Sequence, residues 1–158
     1  MKKFGLIVSA TIFCLAFSCE EENNNSQTNP EDMNVKDISN SDCKDFEIKC
    51  TRNEDCVNYY TVDEEYLRFE RINAAFNCCI DSVIIDVKPG AGNTITITET
   101  ENAGLCDCIC LYDIESTIGP LDYGEYDILI AEQYNDTMAF SLDFKDDTGG
   151  QYCETRSG

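Results

Sequence analysis

Cys106, Cys108 and Cys110 stand two residues apart in the stretch LCDCICLY, and Cys78 and Cys79 are adjacent in NCC. Five sulfurs in two short segments suit three kinds of chemistry: covalent staples, thiol redox, or a soft-metal site. Strand geometry separates the three. On a strand, residues two apart share a face at a spacing of about 6.6 Å, whereas two thiolates on one zinc ion lie about 3.8 Å apart. The same parallel directions disfavour a bridge within the trio, because a disulfide needs converging Cβ vectors. Each of Cys106, Cys108 and Cys110 therefore needs a partner from elsewhere, and the candidates are Cys43, Cys50, Cys56, Cys78, Cys79 and Cys153. Adjacent cysteines on an extended chain point to opposite faces, so a Cys78–Cys79 bond would close a strained ring. The expected arrangement ties one or both of Cys78 and Cys79, together with Cys153 and members of the trio Cys43, Cys50 and Cys56, to the 106–110 strand. Connectivity stays open at this level.

Other constellations are thinner. The chain has no His, which removes His-assisted serine or cysteine catalysis and the commonest zinc ligand. No C-x-x-C pair occurs, so neither a zinc-ribbon nor a thioredoxin-like pattern is present. With 31 Asp and Glu, some carboxylate pair at a glycosidase-like distance is guaranteed, and such a pair carries no information. No enzyme activity and no cofactor are expected. Asp143, Asp146 and Asp147 in DFKDDTGG offer hard oxygen ligands in a loop, as calcium prefers. They do not follow EF-hand order, and a solvated turn is the ordinary reading of the same residues. Tyr59, Tyr60, Tyr66, Tyr112, Tyr123 and Tyr134 fall near strand ends, where tyrosine serves either as corner packing or as a contact residue.

The elements that must position these residues have a period of two. MAFSLDF puts Met138, Phe140, Leu142 and Phe144 on one face, NTITITE does the same with Ile95 and Ile97, and EYDILIAE with Tyr126, Ile128 and Ile130. These are half-buried strands. EYLRFERI, IDSVIIDV and LCDCICLY add three more, and FEIK is a weak seventh. Turn signals separate them at KPGAGN, ENAG, GPLDYG, YND and DDTGG. The stretch from Arg71 to Phe76 reads as a bend. This pattern predicts an all-β fold, an antiparallel β-sandwich stapled by disulfides, formed by residues 43–158 as one domain. The spacing of Leu121, Gly124 and Tyr126 in LDYGEYDILI resembles the turn-into-strand corner of immunoglobulin-like and fibronectin III-like sandwiches. That resemblance implies that Tyr126 hydrogen-bonds back to nearby backbone.

The N-terminus sets the address. MKKFGLIVSATIFCLAFS has a basic start and an apolar run too short for an ordinary span, which marks residues 1–18 as a secretory signal. Ser18 before Cys19 resembles a bacterial lipoprotein signal, which implies a lipid on Cys19 and a membrane contact made by that lipid. Residues 19–42 read as an acidic, disordered tether, and Glu20, Glu21 and Glu22 resemble an export signal of surface lipoproteins. Without residues 1–18 the chain has 9 Lys and Arg against 31 Asp and Glu, a net charge of −22. A charge of that size excludes nucleic acid as a partner. The triplets DSV and DTM resemble an O-glycosylation signal and imply sugar on Ser82 and Thr137.

Signal, tether, NCC, CDCICLYD and GEY together resemble small cysteine-rich bacterial cell-surface lipoproteins. The expected function is a non-enzymatic binding, adhesion or accessory module at the outer membrane with a protein or glycan ligand. The alternative is a copper- or zinc-handling or thiol-redox lipoprotein that uses Cys78, Cys79, Cys106, Cys108 and Cys110.

Overall fold

The computed structural model describes residues 33–44, 54–104, 106–134, 136–146 and 148–155. FEIK lies outside them. Among the described residues nine strands are formed: β1 (Asn34–Asn40), β2 (Glu54–Val62), β3 (Tyr66–Asn77), β4 (Ile80–Pro89), β5 (Thr94–Ala103), β6 (Ile109–Gly119), β7 (Gly124–Glu132), β8 (Met138–Phe144) and β9 (Gly149–Thr155). They form two sheets, ordered β1-β6-β3-β2-β9 and β4-β5-β7-β8.

The period-two rows become the facing inner surfaces, since alternate side chains of a strand point to opposite faces. Val57, Leu67, Phe69, Phe76, Ile114 and Ile118 come from the first sheet. Val83, Ile85, Ile95, Ile97, Ile128, Ile130 and Phe144 meet them from the second. Along the flank where β8 lies near β2 and β9, Phe140 stacks between Tyr59 and Tyr152, with ring centroids 5.5 and 5.0 Å away. Tight turns place left-handed backbone at Asp63 and Glu64 after β2, and at Gly92 and Asn93 after β4; Asp, Gly and Asn tolerate it by type, and Glu64 does not.

Several expectations are corrected. The sandwich is not wholly antiparallel, because β5 and β7 pair in parallel, Thr94 opposite Asp127 through Glu99 opposite Glu132. β6 lies between them in sequence but in the other sheet, so the chain reverses twice before it returns. Alternation fixes which face a residue takes and is blind to strand direction. The stretch from Arg71 to Phe76 is no bend: β3 runs through it with a bulge between Arg71 and Ala74, where Asn73 has φ 68°. ENAG is not a turn up to Ala103, where β5 ends. β2 and β9 were not legible as strands, because their apolar residues are interrupted by Asn58 or replaced by Gly149 and Gly150. Within the expected tether, residues 34–40 form β1, paired antiparallel to β6 from Asn34 opposite Gly119 to Asn40 opposite Ile114. NVKDISN has no apolar row of its own, and its backbone finds partners only at the edge of β6.

Gly119 is a tight junction against backbone. A Cβ there would meet the Glu65 carbonyl oxygen at 2.6 Å and Tyr66 Cδ1 at 2.6 Å, and one of the two obstacles is backbone. Gly119→Ala should therefore lower unfolding stability by about 1–3 kcal/mol, read as a lower urea midpoint with unchanged slope.

Candidate functional site

Chemistry-bearing side chains gather at the end of the sandwich where β3 passes into β4 and β5 into β6. Cys78 and Cys79 form the turn between β3 and β4. Cys106 and Cys108 lie in the segment before Ile109, where β6 begins. Cys106 and Cys108 thus precede the strand, and the same-face argument does not govern them. The pairs are Cys78–Cys108 and Cys79–Cys106, with Cα separations of 5.6 and 5.8 Å. Cys43–Cys110 ties the chain after β1 to the start of β6. Cys153 does not reach the 106–110 segment; it bridges Cys56, its direct cross-strand neighbour in the β2–β9 pair, with a Cα separation of 4.1 Å. All eight cysteines among the described residues are paired, and no bridge joins two members of the 106–110 trio. Cys19 and Cys50 lie outside the described residues.

A hydrogen-bond net centred on Asn77 holds this end independently of the bridges. Its backbone N–H donates to Glu101 Oε2 (2.7 Å), its side-chain amide donates to the Cys106 carbonyl (2.6 Å), and its Oδ1 accepts from the Cys79 N–H (2.9 Å). The buried Tyr112 hydroxyl donates to the Asn77 carbonyl. The Cys78 N–H reaches the Cys108 carbonyl at 3.1 Å, and the Gly104 N–H reaches that of Cys79 at 3.1 Å. Tyr134, in the β7–β8 connection, donates its hydroxyl to Glu101 Oε1 at 2.6 Å, and that bond raises its pKa. As a result the three connections at this end are cross-linked. The sulfur atoms of Cys78, Cys79 and Cys106 all lie within 4.8 Å of one another.

One cluster that sequence reasoning missed sits in the core between the sheets. Arg71 on β3 meets Asp55 of β2 through two contacts of 2.8 Å from Nη2. Its Nη1 faces Glu99 of β5 at 3.3 Å, and its Nη2 pairs with Glu132 of β7. All four side chains are almost fully buried. The signal was in the alternation. Asp55, Arg71, Glu99 and Glu132 each occupy the next inward position after or before an apolar row: Val57, Phe69, Ile97 and Ile130. Four charged residues at inward positions on four strands should have been read as one buried set.

The remaining candidates lie apart. Asp143, on the outward face of β8, pairs with Lys145 Nζ at 3.0 Å; Asp146 is exposed in the following turn and Asp147 lies outside the described residues. That turn is closed by Thr148, whose hydroxyl donates to the Asp143 carbonyl at 2.7 Å. Ser82 is half-buried in β4, and Thr137 is exposed just before β8. Among the tyrosines, Tyr59 is stacked on Phe140, Tyr66 lies beneath Lys36 Nζ and Tyr112 is buried, while Tyr60, Tyr123 and Tyr134 are exposed. The Tyr126 hydroxyl donates to the Asp122 carbonyl at 2.8 Å. An open polar groove near Tyr123 is lined by Asn93, Glu125, Asp127, Ser141 and Asp143.

No known protein family matches the chain, and comparison with curated proteins and with solved structures returns no match.

The buried charge cluster makes two predictions. Replacing Arg71 by Met leaves three buried acids without their cation, a loss of about 3–5 kcal/mol in unfolding stability. Burial holds the Glu99 carboxyl above its ordinary range, with Arg71 opposing and Asp55 adding to the rise. A carboxyl whose folded pKa is raised binds its proton more tightly in the native state than in the unfolded one. Its contribution therefore falls as pH rises from the ordinary carboxylate value of about 4.3 through the raised value. The urea midpoint should decline across that window, and Glu99→Gln should flatten the decline and match or exceed the wild type at neutral pH.

Proposed function

We propose that the protein is a non-enzymatic binding module, anchored by a lipid on Cys19 at the outer membrane, exposed on the cell surface and directed at a protein or glycan ligand. The observation that carries this reading is the polarity of the fold. The described chain enters at Met33 and begins β1 opposite Gly119, at the end of the sandwich that also holds Leu121 and Tyr123. Three of the four disulfides, with exposed Ile109 and Tyr134, lie at the opposite end. β3, with 12 residues, spans about 40 Å at ~3.3 Å per residue, so an anchor at Cys19 leaves the stapled loops facing away from the membrane. Cross-linked loops carrying an exposed tyrosine are suited to recognition, because ordering costs little on binding.

The corner bond from Tyr126 to Asp122 supports a kinship with immunoglobulin-like or fibronectin III-like sandwiches, from which the parallel β5–β7 pair departs. Thr137, exposed beside the same loops, is the better placed of the two sugar-acceptor candidates.

An intact mass of the membrane-extracted protein should show acyl chains on Cys19. Full-length protein probed on glycan and surface-protein arrays should retain a ligand whose affinity drops about 5-fold or more in Tyr134→Ala, the loss of roughly 1 kcal/mol expected of an interface anchor. Tyr123→Ala, at the other end, should leave it unchanged. The reverse result rejects the polarity, and turnover of model esters, peptides or glycosides that is lost on denaturation rejects the binding-module reading.

A further inference from the structure

We propose that Cys78, Cys79, Cys106 and Cys108 form a redox-gated site: two closed disulfides when oxidised, and a four-thiolate site for one thiophilic d10 cation of the zinc or copper(I) class when reduced. The proposal does not rest on the ligand-binding reading above. Three of the sulfurs already lie within 4.8 Å of one another, and the fourth, on Cys108, is bonded to one of them. Bonded sulfurs stand about 2.05 Å apart and thiolates sharing one zinc ion about 3.8 Å, so reduction parts each bonded pair by ~2 Å, while the Cys78 sulfur and the Cys79–Cys106 pair already lie within 4.8 Å of one another. Two ligands come from a turn and two from an irregular segment, which is why neither strand geometry nor the adjacency of Cys78 and Cys79 forbids it.

Conversion leaves the frame in place. The Asn77 bonds to Cys79 N–H and the Cys106 carbonyl, and the Cys78 N–H bond to the Cys108 carbonyl, involve no sulfur. They hold the two segments together with or without the bridges. Access is also uneven across the molecule. Cys79 and Cys108 are exposed and their partners only half-buried, whereas the other two bridges each have a buried half-cystine, Cys110 and Cys56. Each of the four described bridges exposes one half-cystine, Cys43 and Cys153 included, but only in the cluster is the second half-cystine also open to a dithiol.

The chemistry balances. Two molecules of dithiol each pass two electrons and two protons to one disulfide and leave as cyclic disulfides, giving four thiols. One divalent cation then displaces four protons and is held by four thiolates, a site of net charge −2. The chain's large negative charge concentrates cations near it.

The test uses full-length protein reduced with dithiothreitol under anaerobic conditions and titrated with Cd2+, then with Zn2+. The expected result is a thiolate-to-cadmium charge-transfer band that saturates at one ion per chain, with the four thiols protected from alkylation and the strand circular dichroism retained. Asn77→Ala, which keeps every thiol, should weaken Cd2+ binding by roughly 10–100-fold, as loss of an outer-shell partner does. Cys79→Ser/Cys106→Ser should weaken it further, and Cys56→Ser/Cys153→Ser should leave it unchanged. Full affinity in the Asn77 or Cys79/Cys106 variants, absence of a saturating band, or unfolding on reduction of the cluster overturns the proposal.

Discussion

Arg71 is the cation on which the closing of the two sheets depends. Asp55 and Arg71 belong to one sheet, Glu99 and Glu132 to the other, so the pairs of Arg71 with Glu99 and Glu132 cross the core. A buried pair of this kind adds little to stability relative to well-packed apolar residues. Its value lies in specification, because any register shift by one residue would turn these charges outward and their apolar neighbours with them. Three acids around one guanidinium also leave excess negative charge in the core, which burial offsets by disfavouring ionisation of Glu99.

The excess acid is a property of the whole chain, and covalent links answer it. Self-repulsion opposes compaction. A bridge closing a long loop constrains the unfolded chain by about 2–4 kcal/mol, and the four bridges among the described residues span 27 to 97 residues. Three of them fall where connections between strands meet. There they do what a hydrophobic core does elsewhere, fixing short segments that contain few apolar residues.

The same location links structure to function. β1 brings the chain in at one end, and the stapled loops close the other. Asn77 orders these loops through bonds that involve no sulfur, to the Cys106 carbonyl and the Cys79 N–H. Tyr134, tied to Asn77 through Glu101, brings the third connection into the same frame.

The sequence by itself determined the class of structure. Alternating rows such as Met138, Leu142 and Phe144 fix which face of a strand is buried, and the cysteine content favours disulfide staples. It also contained, unread, the inward positions of Asp55, Arg71, Glu99 and Glu132. Strand direction, sheet membership and cysteine pairing were decided only by tertiary structure, since each depends on neighbours far along the chain. β1 is a strand because β6 offers it an edge, β5 and β7 are parallel because β6 crosses to the other sheet, and Cys153 meets Cys56 because β9 lies beside β2. Local alternation determines burial; partners are chosen by the packed whole.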